Sequence, residues 1–310
     1  MVKPAILLRA TRPWSFSASV TSALLAGPVA VAHGGVQLHV PHYLLAALAA
    51  VCAHAASNIV NDYFDFRAGV DRPGTLGGSG ILPAGLMTPR QMLLEGFILS
   101  AIALALGIYF VTVAGRALWP LLAGGLLLGA GYSMAPTNFK YRGLGDLAVF
   151  LAFGIGVTVG GYAIQTQRLS WVPVAYGLPV SFLVAGILHA NNMRDVRSDR
   201  EAHTVTLAMQ LGPRRARLVY FGMVGLAYAS LLVLVATRDL VAPTLLACLS
   251  APLALPLLRQ AGLGRLREAS AAAEANGGAT LLGLDARTAQ LHMVFGLLML
   301  VGVLVRLLLY

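Results

Sequence analysis

Long apolar blocks, rather than an alternation of apolar and polar positions, dominate this chain, and short connections rich in charge, Pro and Gly divide them. A block of about 20 apolar residues makes a helix long enough to cross roughly 30 Å of hydrocarbon, whereas half-buried strands would alternate with a period of two. Such blocks lie at 14–33, 42–64, 90–113, 117–134, 146–165, 172–192, 215–236, 240–258 and 289–309. The pattern predicts an all-α, polytopic membrane protein with nine transmembrane helices in a single domain over 1–310. The longest polar stretch, from Arg259 to Thr288 with "REASAAAEANGGAT", predicts a surface helix and turn rather than a further domain.

Composition agrees with this picture. Only 11% of residues are charged, 58% are hydrophobic, and the mean hydropathy is +0.77, against about 25% charged residues in soluble domains. The net charge of +10 is explained by where the cations fall. With a cytoplasmic N-terminus, all of the 22 Lys and Arg except Arg116, Arg168, Arg238 and Arg306 lie on the cytoplasmic side, which is the positive-inside pattern. No nucleic acid is needed to account for the basicity, and the C-terminus is expected outside. The start, "MVKPAILLRATRPWSF", interrupts its apolar stretch with Arg9 and Arg12 and reads as no cleavable signal. Cys52 and Cys248 fall inside apolar blocks and read as small core residues.

The acids change the picture more. Ten of the twelve sit at or near cytoplasmic block ends, leaving Glu95 within a block and Asp239 outside. Two stretches match: "NDYFDFRAGVD" from Asn61 and "NNMRDVRSD" from Asn191. Each contains N-x-x-x-D followed by another Asp, giving Asn61, Asp65 and Asp71 in one and Asn191, Asp195 and Asp199 in the other. Residues four apart share a helix face, so each stretch aims an amide oxygen and a carboxylate the same way. Oxygen-only donors at a membrane boundary suit Mg²⁺, which is held by a few carboxylates together with substrate phosphates. The competing reading of a single such Asp is a helix-end carboxylate neutralised by a nearby Arg; two matching motifs weigh against it. Four carboxylates and a diphosphate carry more negative charge than two Mg²⁺ offset, so cations should converge there. Arg12, Arg67, Arg72, Lys140, Arg142, Arg194 and Arg197 are available. Each also reads as a positive-inside anchor; Lys140, in the short loop "TNFKYRGLGD", is the preferred phosphate partner.

These residues resemble the UbiA superfamily of intramembrane prenyltransferases, whose signature is a pair of aspartate-rich motifs on the second and sixth of nine transmembrane helices. The resemblance covers nearly the whole chain. Within the superfamily the chain is most similar to the 1,4-dihydroxy-2-naphthoate prenyltransferases of menaquinone biosynthesis and their animal relatives. The six-residue step from Asp65 to Asp71, "GGSGILPAGLMTPRQ", "FKYRGLGDLAVFLAFG", "NNMRDVRSDREAHTVTLA" and "ARTAQLHMVFGLL" carry that likeness. It implies a helical bundle around a central cavity open toward the cytoplasmic side, in a cell inner membrane. It further implies two Mg²⁺ ions held by Asn61, Asp65, Asp71, Asn191, Asp195 and Asp199, gripping an isoprenyl diphosphate. Lys140 would lie on the phosphates, with Arg142, Arg12, Arg67, Arg72 and Arg197 as further diphosphate contacts. Asp65, Asp195 and Lys140 would be the catalytic residues. The implied reaction is prenylation of an aromatic acceptor, dihydroxynaphthoate with loss of its carboxylate; 4-hydroxybenzoate and homogentisate are the alternatives within the superfamily. Tyr63 and Tyr132 are candidates to face the developing carbocation, with interfacial belt aromatics as the other reading.

Other signals are weaker. The Gly-rich stretch at 74–80 lacks a Walker loop's Lys and reads as a lid over the diphosphate or as an ordinary connection. Asp146 either orients Lys140 and Arg142 or offsets a helix dipole. His54 and His189 read as packing or supporting residues rather than metal ligands. A cation-coupled transporter would place its polar groups at the bilayer midplane, and a CDP-alcohol phosphotransferase would hold its aspartates in one compact run; neither fits two remote motifs at one edge.

Overall fold

A computed structural model of the chain describes residues 2–73, 78–134, 136–201, 204–267 and 280–309. A short α1 (Pro4–Ala10) precedes α2 (Ser17–Gly34), α3 (Val40–Arg67), α4 (Pro89–Ala114), α5 (Trp119–Ser133) and α6 (Gly145–Thr166). After these come α7 (Val172–Arg194), α8 (Val196–Glu201), α9 (Leu207–Ala236), α10 (Ala242–Gly262) and α11 (Leu284–Leu309). No strand occurs among the described residues.

Helix falls on every predicted apolar block, but the described residues contain seven candidate crossings where the sequence predicts nine: α3, α4, α6, α7, α9, α10 and α11. The helices on the other two blocks, α2 and α5, fall short of these seven in length or apolar content. The 15 residues of α5 rise only about 22 Å at 1.5 Å each, and α2 spends Ser17, Ser19, Thr21, Ser22 and Pro28 within 18 residues. The start of α9 also departs from the expected 215. Helix begins at Leu207, where the Thr206 hydroxyl accepts from the Met209 amide, then breaks at Gly212 (φ 71°) before Pro213. The apolar block is the second part of that kinked helix. At α4, Thr88 and Gln91 cap one another reciprocally and set the first turn.

Successive helices pack side by side, and α11 returns against α2, so the chain closes on itself. α7 sits at the centre, against α2, α6, α9 and α11. Its apolar window is 67% buried, against 17% for α4, whose Leu94, Phe97 and Ile98 point outward as a lipid-facing surface requires. Around α7 the core is built from Tyr176, Val180, Leu183, Tyr220, Phe295 and Met299. Small residues let the helices close up. A Cβ at Gly177 of α7 would stand 2.8 Å from the Gly154 carbonyl of α6, and one at Gly154 would strike Ser181. α6 makes this approach through a π-helical stretch, Phe150–Gly156, a register in which one residue is gained per turn. Cys52 and Cys248 are free thiols, as expected. Residues 268–279 of the predicted surface helix and turn lie outside the described residues; Gln260 donates to the carbonyls of Thr280 and Leu282 across its flanks.

Candidate active site

The first motif begins about two turns before the end of α3 and finishes beyond it. Asn61 and Asp65 share a face, as their spacing requires, and the Asn61 amide donates to Asp65 Oδ2 at 2.9 Å. Lys140, from the loop between α5 and α6, donates to Asn61 Oδ1 at 3.0 Å and to Asp65 Oδ2 at 2.5 Å. The Tyr141 hydroxyl donates to Asp65 Oδ1 at 2.8 Å, and Ser133 donates to Asn61 Oδ1. Burial and the Asp65 charge push the Tyr141 phenol far above its ordinary range, so it stays a donor. Beyond α3 the backbone folds back, the Val70 and Asp71 amides donating to the Asp65 carbonyl. This returns Asp71 to the site, buried. Burial, followed by the charges of Asp65 and Asp62, pushes its carboxyl up to about 7.

The second motif straddles the end of α7. Asn191 lies in the last helical turn, Asp195 stands just past it, and Asp199 follows in α8. Arg194 grips Asp195 through two nitrogens at 2.7 Å each, reaches Asn191 Oδ1 at 3.0 Å, and gives its remaining terminal nitrogen to Asp285 at 2.6 Å. Asp199 is buried. Burial, followed by the fields of Lys140, Asp195 and Asp65, leaves its carboxyl raised to about 7, with Lys140 pulling against the rise. Since Lys140 and Asp65 belong to the first motif's cluster, the two motifs lie within electrostatic reach of one another.

The remaining predicted residues fall into two groups. Arg12 joins the cluster: it takes a left-handed backbone (φ 58°), uncommon for a residue with a side chain, and reaches Asp62 at 3.3 Å. Tyr132 is half-buried beside Gly145, among the fields of Asp146, Asp65 and Asp199. The others make contacts of a different kind. Arg67 is exposed and donates to the Tyr63 hydroxyl, and Tyr63 itself packs on Phe64. Arg72 is exposed and donates to the Gly69 carbonyl at 2.6 Å. Arg142 is exposed and donates to Pro136. Arg197 lies on the surface with Glu201.

Asp146 does not orient Lys140 or Arg142 through hydrogen bonds; it accepts from His189 Nδ1 at 2.5 Å and from Asn192 at 3.1 Å. His189 and His54 are supporting groups. His54 stands 3.2 and 3.1 Å from the hydroxyls of Ser15 and Ser19. Residues 74–77 of the expected lid lie outside the described residues. Its far flank folds onto the site, the Ser79 amide donating to Asp62 at 2.7 Å, and Gly78 (φ 68°) lies so close that a Cβ there would strike the Asp71 carboxylate.

Sequence reasoning overlooked three contributors: Asp62, Tyr141 and Asp285. Asp62 and Tyr141 each adjoin a predicted residue, which was the available signal. Asp285 lies 91 residues from Arg194, and no local pattern links the two.

Every predicted metal-site donor is a hard oxygen, the chemistry Mg²⁺ takes. Among the described residues, no three His, Cys, Asp or Glu side chains converge into a ready cage. Instead Lys140 neutralises the first motif and Arg194 the second. That arrangement fits Mg²⁺, which binds through one or two carboxylates with phosphate oxygens and retained water rather than in an all-protein cage.

The family model described as "UbiA prenyltransferase family" matches residues 19–284. The chain belongs to the UbiA prenyltransferase family. It is therefore a membrane-embedded transferase, and the transporter reading falls away. Its similar relatives include the UbiA prenyltransferase domain-containing protein 1 of Rattus norvegicus, 34% identical over 261 residues that cover 83% of this chain and 75% of the relative. The protein of the same description from Homo sapiens is 34% identical over 263 residues, covering 83% and 75%. That from Dictyostelium discoideum is 30% identical over 231 residues, covering 72% and 68%. Among solved structures, the apo UbiA homolog from Aeropyrum pernix K1 superposes with a TM-score of 0.65 at 21% identity, covering 93% of this chain and 97% of the other. A UbiA homolog from Archaeoglobus fulgidus, solved bound to GPP and Mg²⁺, superposes with a TM-score of 0.55 at 16% identity, covering 98% of each. Both share this fold. The relatives carry the UbiA domain description rather than that of a dihydroxynaphthoate enzyme.

Proposed function

We propose that this UbiA protein transfers a prenyl chain from an isoprenyl diphosphate to an aromatic acceptor in a Mg²⁺-dependent reaction, with 1,4-dihydroxy-2-naphthoate as the acceptor in menaquinone biosynthesis. The observation that carries this reading is the Lys140 ammonium set between Asn61 and Asp65 while its field reaches Asp199 of the other motif. A cation there serves a diphosphate that bridges the two carboxylate clusters. The A. fulgidus homolog bound to GPP and Mg²⁺ supports the class of donor and the metal.

In this reading Asn61, Asp65, Asp71, Asn191, Asp195 and Asp199 hold the metal, and two ions match the two motifs. The metal, when bound, supplies positive charge to the departing diphosphate. Lys140, with Arg12 close by, adds positive charge to the same leaving group, so the allylic C1–O bond ionises without a proton donor. Tyr141 holds Asp65 in place through its hydroxyl. Tyr132 presents an aromatic face near the same charges. The acceptor ring captures the allylic cation, and for dihydroxynaphthoate the carboxylate leaves as carbon dioxide from the attacked carbon. In this reading the apolar tail of the donor runs from the charged cluster toward apolar space between the helices. An apolar cavity of about 180 Å³ opens between α2, α3, α4, α5 and α6, lined by Tyr43, Ala50, Phe110, Leu122 and Gly160 among others. Its α3 lining begins at Ala50, about 16 Å along the helix from Asn61 at 1.5 Å per residue. With nine crossings the positive-inside pattern supports a cytoplasmic N-terminus, both motifs on the cytoplasmic face and the C-terminus outside, in what this reading takes as a cell inner membrane.

The test is direct. Protein purified in detergent is incubated with Mg²⁺, a labelled all-trans prenyl diphosphate and, separately, dihydroxynaphthoate, 4-hydroxybenzoate or homogentisate. Prenylated, decarboxylated naphthoquinol is expected with the first. Product with 4-hydroxybenzoate or homogentisate alone would reassign the acceptor, and intact diphosphate in every tube would refute prenyl transfer.

A further inference from the structure

Arg194 presents a difficulty for any cation that is to bind the second motif. Its Nε and one terminal nitrogen hold both oxygens of Asp195, and that same terminal nitrogen holds the Asn191 oxygen. A divalent cation needs those same lone pairs. Arg cannot yield by losing a proton, and its side chain is only 8% exposed, so expelling it unpaired would leave a buried charge uncompensated. The structure supplies a second partner. Asp285, in the first turn of α11, accepts at 2.6 Å from the terminal nitrogen that Asp195 does not use. A guanidinium can keep this contact while its other edge leaves Asp195.

We propose that Asp285 is the holding carboxylate for Arg194: when a divalent cation takes Asn191 and Asp195, the guanidinium withdraws onto Asp285, which makes Asp285 a positioning residue for metal loading. This rests on the reading of Asn191 and Asp195 as cation ligands. A plain structural tie between α7 and α11 has no use for the grip on Asp195 and would leave metal affinity untouched. In the latch, metal affinity depends on how strongly Arg194 competes, and Asp285 acts only through Arg194.

The experiment measures Mn²⁺ binding to the full chain in detergent, with the same saturating amount of an unreactive prenyl diphosphate analogue in every sample, from the free-ion EPR signal, in the parent, Arg194→Gln, Asp285→Asn and the double variant. Asp285→Asn confines the guanidinium to Asp195 and is expected to weaken Mn²⁺ binding about tenfold, since one charged hydrogen bond is at stake. Arg194→Gln removes the competitor and is expected to tighten binding by about the same factor. The double variant is expected to bind like Arg194→Gln alone, because pairs that act through one contact are not additive. If Arg194→Gln does not stay monodisperse, Arg194→Lys replaces it. Lys keeps the charge but loses the two-pronged grip, so it too is expected to bind Mn²⁺ more tightly than the parent. Parent-like binding in Asp285→Asn overturns the latch, as does an equal loss from Asp285→Asn in both backgrounds. Asp195→Ala, run alongside, separates the two readings. If it binds Mn²⁺ as the parent does, or if the parent binds none, the ligand assignment falls together with the latch; if it loses Mn²⁺ while Asp285→Asn does not, only the latch falls.

Discussion

Replacing Lys140 by Met keeps the length and apolar stem of the side chain and removes its ammonium. In the structure that ammonium is the cation directly paired with Asp65, whose other polar contacts are the Asn61 amide and the Tyr141 hydroxyl. Asp65 would then remain buried beside Asp71 and Asp199 with its charge uncompensated. Breaking a buried pair by deleting one partner costs about 3–5 kcal/mol. The side chains of Lys140 and Asp65 are 14% and 5% exposed, which argues for the lower end, about 3 kcal/mol. With about 2.1 cal/mol/K of unfolding entropy per residue, 310 residues make each kcal/mol worth about 1.5 °C in Tm, so the variant should melt about 4–5 °C below the parent in EDTA. Mg²⁺ restores positive charge next to Asp65 and should close most of that gap, which loss of packing alone would not allow. Turnover should fall as well. One charged hydrogen bond to the diphosphate is worth about 1.5–3 kcal/mol, or about 10- to 150-fold in kcat/KM. The assay is a melting curve in detergent with EDTA or Mg²⁺, paired with transfer of a labelled prenyl chain. A parent-like rate, or a Tm loss that Mg²⁺ leaves unchanged, would refute the reasoning.

Asp65→Ala and Asp195→Ala are each expected to reduce prenyl transfer to near background while the protein elutes as a monodisperse peak; retained turnover in either removes that residue from the site. Tyr141→Phe deletes the 2.8 Å bond to Asp65 and should lower kcat/KM about fivefold to tenfold at the usual 1–1.5 kcal/mol for such a bond, whereas an unchanged value would make the hydroxyl incidental. Gly302→Ala places a Cβ against the Pro243 carbonyl and 2.6 Å from Thr244 Cα. Backbone cannot step aside as a side chain does, so a loss of about 1–3 kcal/mol is expected, and a parent-like melting temperature would contradict the close α10–α11 contact.

The helical architecture was legible because hydrocarbon leaves a spanning chain few options, and runs of Leu, Val and Ala announce where it is immersed. α2 and α5 stand out less clearly as crossings, α2 because Ser and Thr dilute its apolar run and α5 because it has only 15 residues. The two motifs were legible because carboxylates are costly in such surroundings and matched spacing on remote helices is hard to obtain otherwise. Cations were harder to assign. Lys140 and Arg12 meet carboxylates, whereas Arg67, Arg142 and Arg197 face outward, and their identities alone do not distinguish these cases. The Arg194–Asp285 and Asp146–His189 pairs depend on α11 and α6 arriving beside α7, a matter of tertiary packing that no local window records. Likewise, the left-handed turn at Arg12 has no Gly to mark it.

The glycine seam between α6 and α7 has a mechanical consequence. Backbone resting on backbone at Gly154 and Gly177 leaves no side-chain cushion to deform, so these two helices behave as a single stiff plate. That plate carries Asp146, His189, Asn191 and Asp195, and the Lys140 loop is attached to its edge. Any breathing that admits a long lipid from the bilayer must then be taken up on the other flanks of the bundle, leaving the spacing of Asp146, His189, Asn191 and Asp195 undisturbed from one turnover to the next.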